Sequence, residues 1–558
     1  MNLRSPAAVP SFALLLAAAC SAPGQERMEE PLAGLTEPRY FGNLGTWRRD
    51  VTTKSPEAQR WFDQALALTF GFNHDEAIRS YREAARLDPE CAMAWWGIAY
   101  CNGPHINNPA MTEEQVVAAW EAVRKAVAAA PGANAVEAAL IGALARRYSP
   151  DPAADRGPFD QAYADAMRQV WKAYPKDADV GTLCAEALMD LHPWDLWTHE
   201  GEPKDWTPEI VETLETVLAM APDHPGANHF YVHTVEASAR PERGVPSADR
   251  LRTLVPGAGH LVHMPAHIYI RVGRFADASE ANIAAMKVDR SYRALSPDQG
   301  FYRIYMTHNP HFLAFSSMME GRREAALEAA RTMVADIPPE FAEEQSFFVD
   351  AFLPIEMEVF MRFGMWQEIL RVPEPSEPFP ISRAYRHFAR GAALAATDRV
   401  DEARAELGDM LEAALSIPEG AIWMNNSAVA VLEVANHTLR GEIAAREGDL
   451  DLAIRYLRKA VELEDALVYD EPPDWMQPVR HTLGAVLLTA GKVEEAEAAY
   501  REDLRRFPGN GWSLWGLRRC LERRGAEREA AQVSARFAKA WARADVELDT
   551  TCFCLPGI

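Results

Sequence analysis

Between Asp75 and Pro89, small and aromatic residues (Ala77, Tyr81, Ala84, Ala85) return every three or four positions among charged ones. That spacing predicts an amphipathic helix stopped by the proline. A second helix is predicted to begin with Trp95 and continue through Ile98 and Ala99. The pattern returns at Gly273 to Ala278, at Gly321 with Ala326, and at Gly448 to Ala453. It is fullest in Leu483-Gly484, Gly491, Glu495-Ala496, Tyr500 and Pro508. Glycine suits the turn of a helix hairpin, and alanine lets the paired helices approach closely.

These residues resemble the tetratricopeptide repeat, over roughly residues 55 to 545 with insertions. The resemblance implies an all-α fold, an α-solenoid in which stacked helix hairpins coil into a superhelix and first helices line the concave wall. The stretches Phe72 to Ala77 and Ala94 to Ala99 also resemble a bacterial subgroup of such proteins to which no activity attaches. The signature weakens between Pro104 and Trp206, where Gly103-Pro104-His105-Ile106-Asn107-Asn108-Pro109 and His192-Pro193-Trp194 predict long loops. The expected division is an N-terminal repeat region at 55–330 and a C-terminal one at 331–545. A tail at 546–558 carries Cys552-Phe553-Cys554.

Seven of the 15 histidines fall in one stretch: His229 and His233, then His260, His263 and His267, then His308 and His311. Counting back from Gly273, the middle set lies 13, 10 and 6 residues before the turn, and His308 and His311 lie 13 and 10 before Gly321. Placing the earlier turn near Ala239 puts His229, His233 and Glu236 at 10, 6 and 3. At about 100° per residue, steps of three, four and seven keep these side chains in stripes. The repeat resemblance further implies that all eight face one groove. Packed helices about 8 to 10 Å apart let imidazoles from neighbours close around a shared ion. Pro265 should kink its helix; Pro310 does the same if its helix begins near Phe301.

Seven imidazoles and one carboxylate exceed the three or four ligands of a single zinc ion, so either one ion with outer partners or two ions together fits. The donor set favours copper, zinc, iron or nickel over calcium and magnesium. Glu236 can serve as ligand or general base, and Tyr231, Tyr269, Tyr302 and Tyr305 are available as proton donors. A groove of histidines and aromatics can also bind a peptide without metal, or be structural packing. The Cys552/Cys554 pair can chelate a soft metal and complete the histidine site if the tail folds back. Cys91 and Cys101 bracket a predicted helix and cannot bridge each other while it is intact. His105, Asn107 and Asn108 form a loop able to close over the groove.

Arg4 precedes the apolar run Ala13 to Ala19, and Cys20 follows at once. This resembles a bacterial lipoprotein signal, with Ala17 where leucine is usual; an ordinary Ala-x-Ala cleavage fits the same residues. The resemblance implies a signal peptide at 1–19, lipidation of Cys20, a tether at 20–54, and an exported protein anchored by lipid in the periplasm or outer membrane. Lys and Arg number 57 against 81 Asp and Glu, a net charge of −24 that repels nucleic acid. No Gly-rich loop ending in Lys-Ser or Lys-Thr marks a nucleotide site, and His199-Glu200 is not followed by the second histidine of a zinc-protease helix. The expectation is an exported repeat scaffold that binds a protein or peptide, with a transition-metal site in its concave groove. The alternative is a metal-dependent oxidoreductase or hydrolase built inside the solenoid.

Overall fold

The computed structural model describes residues 38–296 and 299–554. Cys20 and the residues expected to form a signal peptide and the first part of a tether lie outside them. Helices account for nearly all regular structure. Among the described residues, the strands are one antiparallel pair, with Ile422 opposite Ser427 and Trp423 opposite Asn426.

The first hairpin illustrates how the sequence builds the rest. Ser55 accepts a hydrogen bond from the Ala58 amide and Pro56 occupies the first turn, starting helix α1 (Pro56–Phe70). Asn73 caps α2 (His74–Leu87) in the same way. Between them Gly71 and Phe72 turn the chain. Helix α3 (Ala92–Cys101) then packs on α2, and here the repeat's glycine has its reason. A Cβ at Gly97 would lie 2.4 Å from the ring of Tyr81, and one at Gly484 would lie 2.3 Å from Tyr500. Each glycine thus admits the aromatic of a neighbouring helix, and fully burying a ring of that size contributes about 1.5–3 kcal/mol. Cys91 and Cys101 at the two ends of α3 are free thiols.

Within the described residues, one compact unit comprises 38–268 and 281–309, and a second comprises 269–280 and 310–554. They interleave along the chain, whereas the repeat pattern alone suggested a single boundary at 330. Both long loops expected between Pro104 and Trp206 are present, but four helices occupy the space between them, Glu113–Ala129, Ala135–Leu144, Gly157–Ala173 and Ala178–Met189. No helix of the described residues is long and apolar enough to cross a membrane.

Candidate metal centre

Helix α4 (Pro225–Val235) opens on His224, whose Nδ1 accepts from the Ala227 amide while Nε2 donates to Asp179. One turn later it presents His229 and His233, and Glu236 follows at its C-cap. The expected single helix around Pro265 is instead two short ones, α5 (Gly259–His263) and α6 (Pro265–Arg271). The proline starts the second helix, where a missing N–H costs nothing, and the break re-aims His267 relative to His260 and His263. Helix α7 (Phe275–Leu295) supplies Asn282 and Asp289; α8 (Arg303–Met319) supplies His308 and carries Pro310 in its interior.

In the N-terminal unit these elements bring six histidines and one carboxylate into two adjoining sets. The ligating atoms of His229, His233 and His260 all lie within 4.8 Å of one another, and so do those of His263, His267 and His308. His233, Glu236 and His267 form a third group that joins them. His229 and His263 are 0 % exposed and Glu236 is 1 % exposed, so the cluster lies within the packed interior.

The outer nitrogens are tied down, and the acceptors they face fix the tautomers. His229 Nδ1 donates to the carbonyl of Phe70 at 2.7 Å, and His263 Nδ1 to Asn282 Oδ1 at 2.7 Å. His233 Nδ1 donates to Glu236 Oε1 at 3.0 Å, and His267 Nδ1 to Glu236 Oε2 at 2.7 Å. With the proton on Nδ1, each of these neutral rings carries its lone pair on Nε2. The lone pairs of His263 and His267 face each other, with Nε2 atoms 2.8 Å apart, and Nε2 of His229 lies 3.1 Å from Nε2 of His260, whose tautomer no Nδ1 partner fixes. Nε2 of His233 is buried with no hydrogen-bond partner among the described residues.

Burial is also what keeps the rings neutral. It pushes His229, His260 and His263 well below the ordinary imidazole value, with neighbouring histidines adding to the shift. His233 is lowered too, although Glu236 pulls the other way. Burial alone would raise Glu236, but His267 and His233 overcome it and hold the carboxyl ionised, at about 2. Neutral imidazoles oriented by a carboxylate and by carbonyl groups are the form that binds transition metals.

Aromatic residues close the site. Phe72 takes a φ of 56°, a left-handed conformation that a bulky side chain rarely adopts. Its ring centre lies 4.6 Å from that of His229, 5.7 Å from His260 and 4.4 Å from His105. Trp194, at φ 60°, sets its ring edge-on to His233 at 5.5 Å. Tyr305 packs on His260 at 4.3 Å, and the Tyr302 hydroxyl accepts from the His260 amide at 2.8 Å. Two strained backbones against one histidine set are the kind of cost that clusters at functional sites.

Other residues singled out from the sequence lie elsewhere. His311 packs on Phe352 in the C-terminal unit, where burial holds it at about 3. Tyr231 donates to Glu215, and the Tyr269 ring receives the Arg274 guanidinium. Cys552 and Cys554 are joined as a disulfide and group with Glu442, within the C-terminal unit. Asn107 and Asn108 lie in the loop that brings His105 onto Phe72. Phe70, Phe72, Trp194 and Asn282 carry no metal-site signature in sequence, because Phe70 acts through its backbone carbonyl, Asn282 through a common amide oxygen, and the two aromatics through position.

A family model described as tetratricopeptide repeat matches residues 58–91 and 435–466. The chain carries tetratricopeptide repeats at those residues. Its hairpins set successive histidine helices side by side, and such repeats suit a protein-binding scaffold. Among solved structures it is similar to the human IFIT1 dimer with m7Gppp-AAAA at 13 % identity and a TM-score of 0.32, covering 88 % of this chain and 92 % of that one. It is similar also to the APC/C hetero-tetramer Cut9–Hcn1, at 14 % identity and a TM-score of 0.32, covering 86 % of this chain and 79 % of the other. No curated protein sequence matches it.

Proposed function

We propose that this repeat protein is an exported, lipid-anchored scaffold that holds a transition metal, copper, zinc or iron, in its histidine cluster. The observation that carries the metal reading is the facing of the His263 and His267 Nε2 lone pairs at 2.8 Å, from rings whose Nδ1 groups donate to Asn282 and Glu236. Two lone pairs facing each other at that distance repel unless a cation or a proton is shared between them. Burial disfavours the extra proton.

Because the histidines are buried, they act as an ion chamber rather than as a surface that touches a partner, and protein binding falls to other faces of the repeats. A metalloenzyme is the second reading, and Tyr305 favours it: its phenol packs on His260 at 4.3 Å, near enough to deliver a proton to a small metal-bound molecule. The Cys20 anchor and export rest on the lipoprotein-like start of the chain.

The test is elemental analysis of the full chain purified from a host that exports it, beside a His263→Ala/His267→Ala double variant. A transition metal in the wild type that is lost from a variant of unchanged helix content supports the reading. A metal-free wild type, in medium supplied with copper, zinc and iron, overturns it.

A further inference from the structure

We propose that the centre holds two ions and that both are monovalent copper: one on His229, His233 and His260, the other on His263, His267 and His308. This rests on the metal reading above and adds to it number, ligand assignment and charge.

Number follows from spacing. One ion bound by imidazoles at about 2.0–2.1 Å requires all its nitrogens to lie within roughly 4.2 Å of one another. The six histidines fall instead into two threefold sets, each with its ligating atoms inside 4.8 Å. The sets adjoin along two edges, His233 against His267 with ring centres 5.5 Å apart and His260 against His263 at 5.9 Å, no farther than the 6.2 Å between His233 and His260 within a set, so the grouping of the ligating atoms is what divides them. Each set therefore closes on its own ion with small ring movements. Glu236 does not count as a ligand, since both its oxygens accept imidazole protons, one from each set. It is a positioning residue for two triads at once, which a single-ion centre does not need.

Charge decides between metals. All six ligands are counted as neutral imidazoles, so the only protein charge within the paired sets is the Glu236 carboxylate. Two divalent ions would leave a net of +4 − 1 = +3, whereas two cuprous ions leave +2 − 1 = +1. Buried, unpaired charge is costly enough that the smaller excess is favoured. Imidazole suits copper as well as zinc, so the donor set admits copper and the charge balance makes the choice of its monovalent state. The rings of Phe72 and Trp194 beside the first triad provide the low-polarity wall that favours a low-charge ion.

The experiment titrates the metal-free full chain with Cu(I) under anaerobic conditions against a chromophoric Cu(I) chelator, and separately with Zn(II). The wild type is expected to take up about two Cu(I). His308→Ala, whose side chain is only half buried, is expected to take up about one, and so is His260→Ala. His311→Ala, outside both triads, keeps two. Uptake of a single Cu(I) by the wild type overturns the paired centre while leaving the metal reading standing. Two tightly held Zn(II) with weaker Cu(I) uptake overturns the charge assignment alone. No uptake of either metal overturns the reading beneath. If His260→Ala fails to fold, the wild-type stoichiometry and His308→Ala still decide.

Discussion

Replacing Glu236 by glutamine removes one negative charge and one acceptor while keeping the shape of the side chain. The carboxylate now accepts from His233 Nδ1 at 3.0 Å and His267 Nδ1 at 2.7 Å. A glutamine amide has one acceptor oxygen and one donor NH2 group, so only one of the two imidazoles keeps its bond. The other must turn its Nδ1 lone pair toward the amide and move its proton to Nε2, where it blocks the metal. Loss of a partner of this kind typically costs 10–100-fold in metal affinity. The triad left with the wrong tautomer should fall near the upper end, about 100-fold or about 2.7 kcal/mol, and the other near about 10-fold. Stability of the metal-free protein should change far less. Two hydrogen bonds to a charged group, about 1.5–3 kcal/mol each, are weakened, but the burial cost of an ionised carboxylate disappears with them. The assay is competitive Cu(I) titration of wild type, Glu236→Gln and Glu236→Asp, with urea unfolding of the three metal-free proteins. Wild-type affinity in Glu236→Gln would refute the tautomer argument. A loss of metal-free stability as large as the loss of binding energy would reduce Glu236 to a structural role.

Acid should weaken the metal-free fold. His74 sits at about 4 and His311 at about 3, both driven down from 6.5 by burial, so each is neutral in the fold and protonated in the unfolded chain below pH 6.5. The unfolded chain then binds more protons, and their contribution, complete above pH 6.5, is lost by up to about 1.4 kcal/mol per pH unit per histidine as pH falls toward those lowered values. Urea unfolding at pH 7.5, 6 and 5 measures it, and a flat profile contradicts the burial of neutral histidines. Gly226→Ala would put a Cβ 2.4 Å from the Phe70 ring. Overpacking there should cost about 1–3 kcal/mol, and should also weaken the His229 triad, because the Phe70 carbonyl holds His229 Nδ1; unchanged metal affinity alongside a lowered Tm would break that link. Phe72→Ala should lose about 3–5 kcal/mol of packing and let a chelator strip metal faster, read by stopped-flow; an unchanged stripping rate would show that Phe72 does not guard the site.

The hairpins were legible because their signals are local. Ala77, Tyr81, Ala84 and Ala85 recur at helical spacing over little more than two turns, and the contact of Gly97 with Tyr81 is the same as that of Gly484 with Tyr500. The histidine register was legible for the same reason, since His229/His233 and His260/His263 need only the geometry of one helix. What fixes their chemistry was not. The Phe70 carbonyl reaches His229 across 159 residues, and any residue at position 70 would offer the same atom. Asn282 reaches His263 from α7, two helices on, where nothing distinguishes it from a solvated asparagine. Phe72 occupies a left-handed turn that sequence reasoning reserves for glycine. Helix spacing put His311 on the same stripe as His308, and spacing alone has no term for the Phe352 ring that His311 packs on.

The cluster makes its strongest sense as folding energy deferred to a ligand. Core positions on α4 and α5 that an ordinary repeat would fill with leucine or alanine hold imidazoles, and the metal-free chain must keep them neutral, oriented and dry. His233 Nε2 and His260 Nδ1 are buried with no hydrogen-bond partner among the described residues. Each such group costs about 1–3 kcal/mol. Coordination removes that cost at His233, whose Nε2 faces the site, and binding to the folded chain stabilises it by mass action. Metal loading should therefore act first on the N-terminal unit, which holds both triads. In the C-terminal unit His481 is already paired with Asp503, and the buried Nδ1 of His437, which has no hydrogen-bond partner among the described residues, faces no second histidine set. Partner binding by the repeats and ion binding by the chamber are then separable: a surface substitution can abolish the first with the second intact.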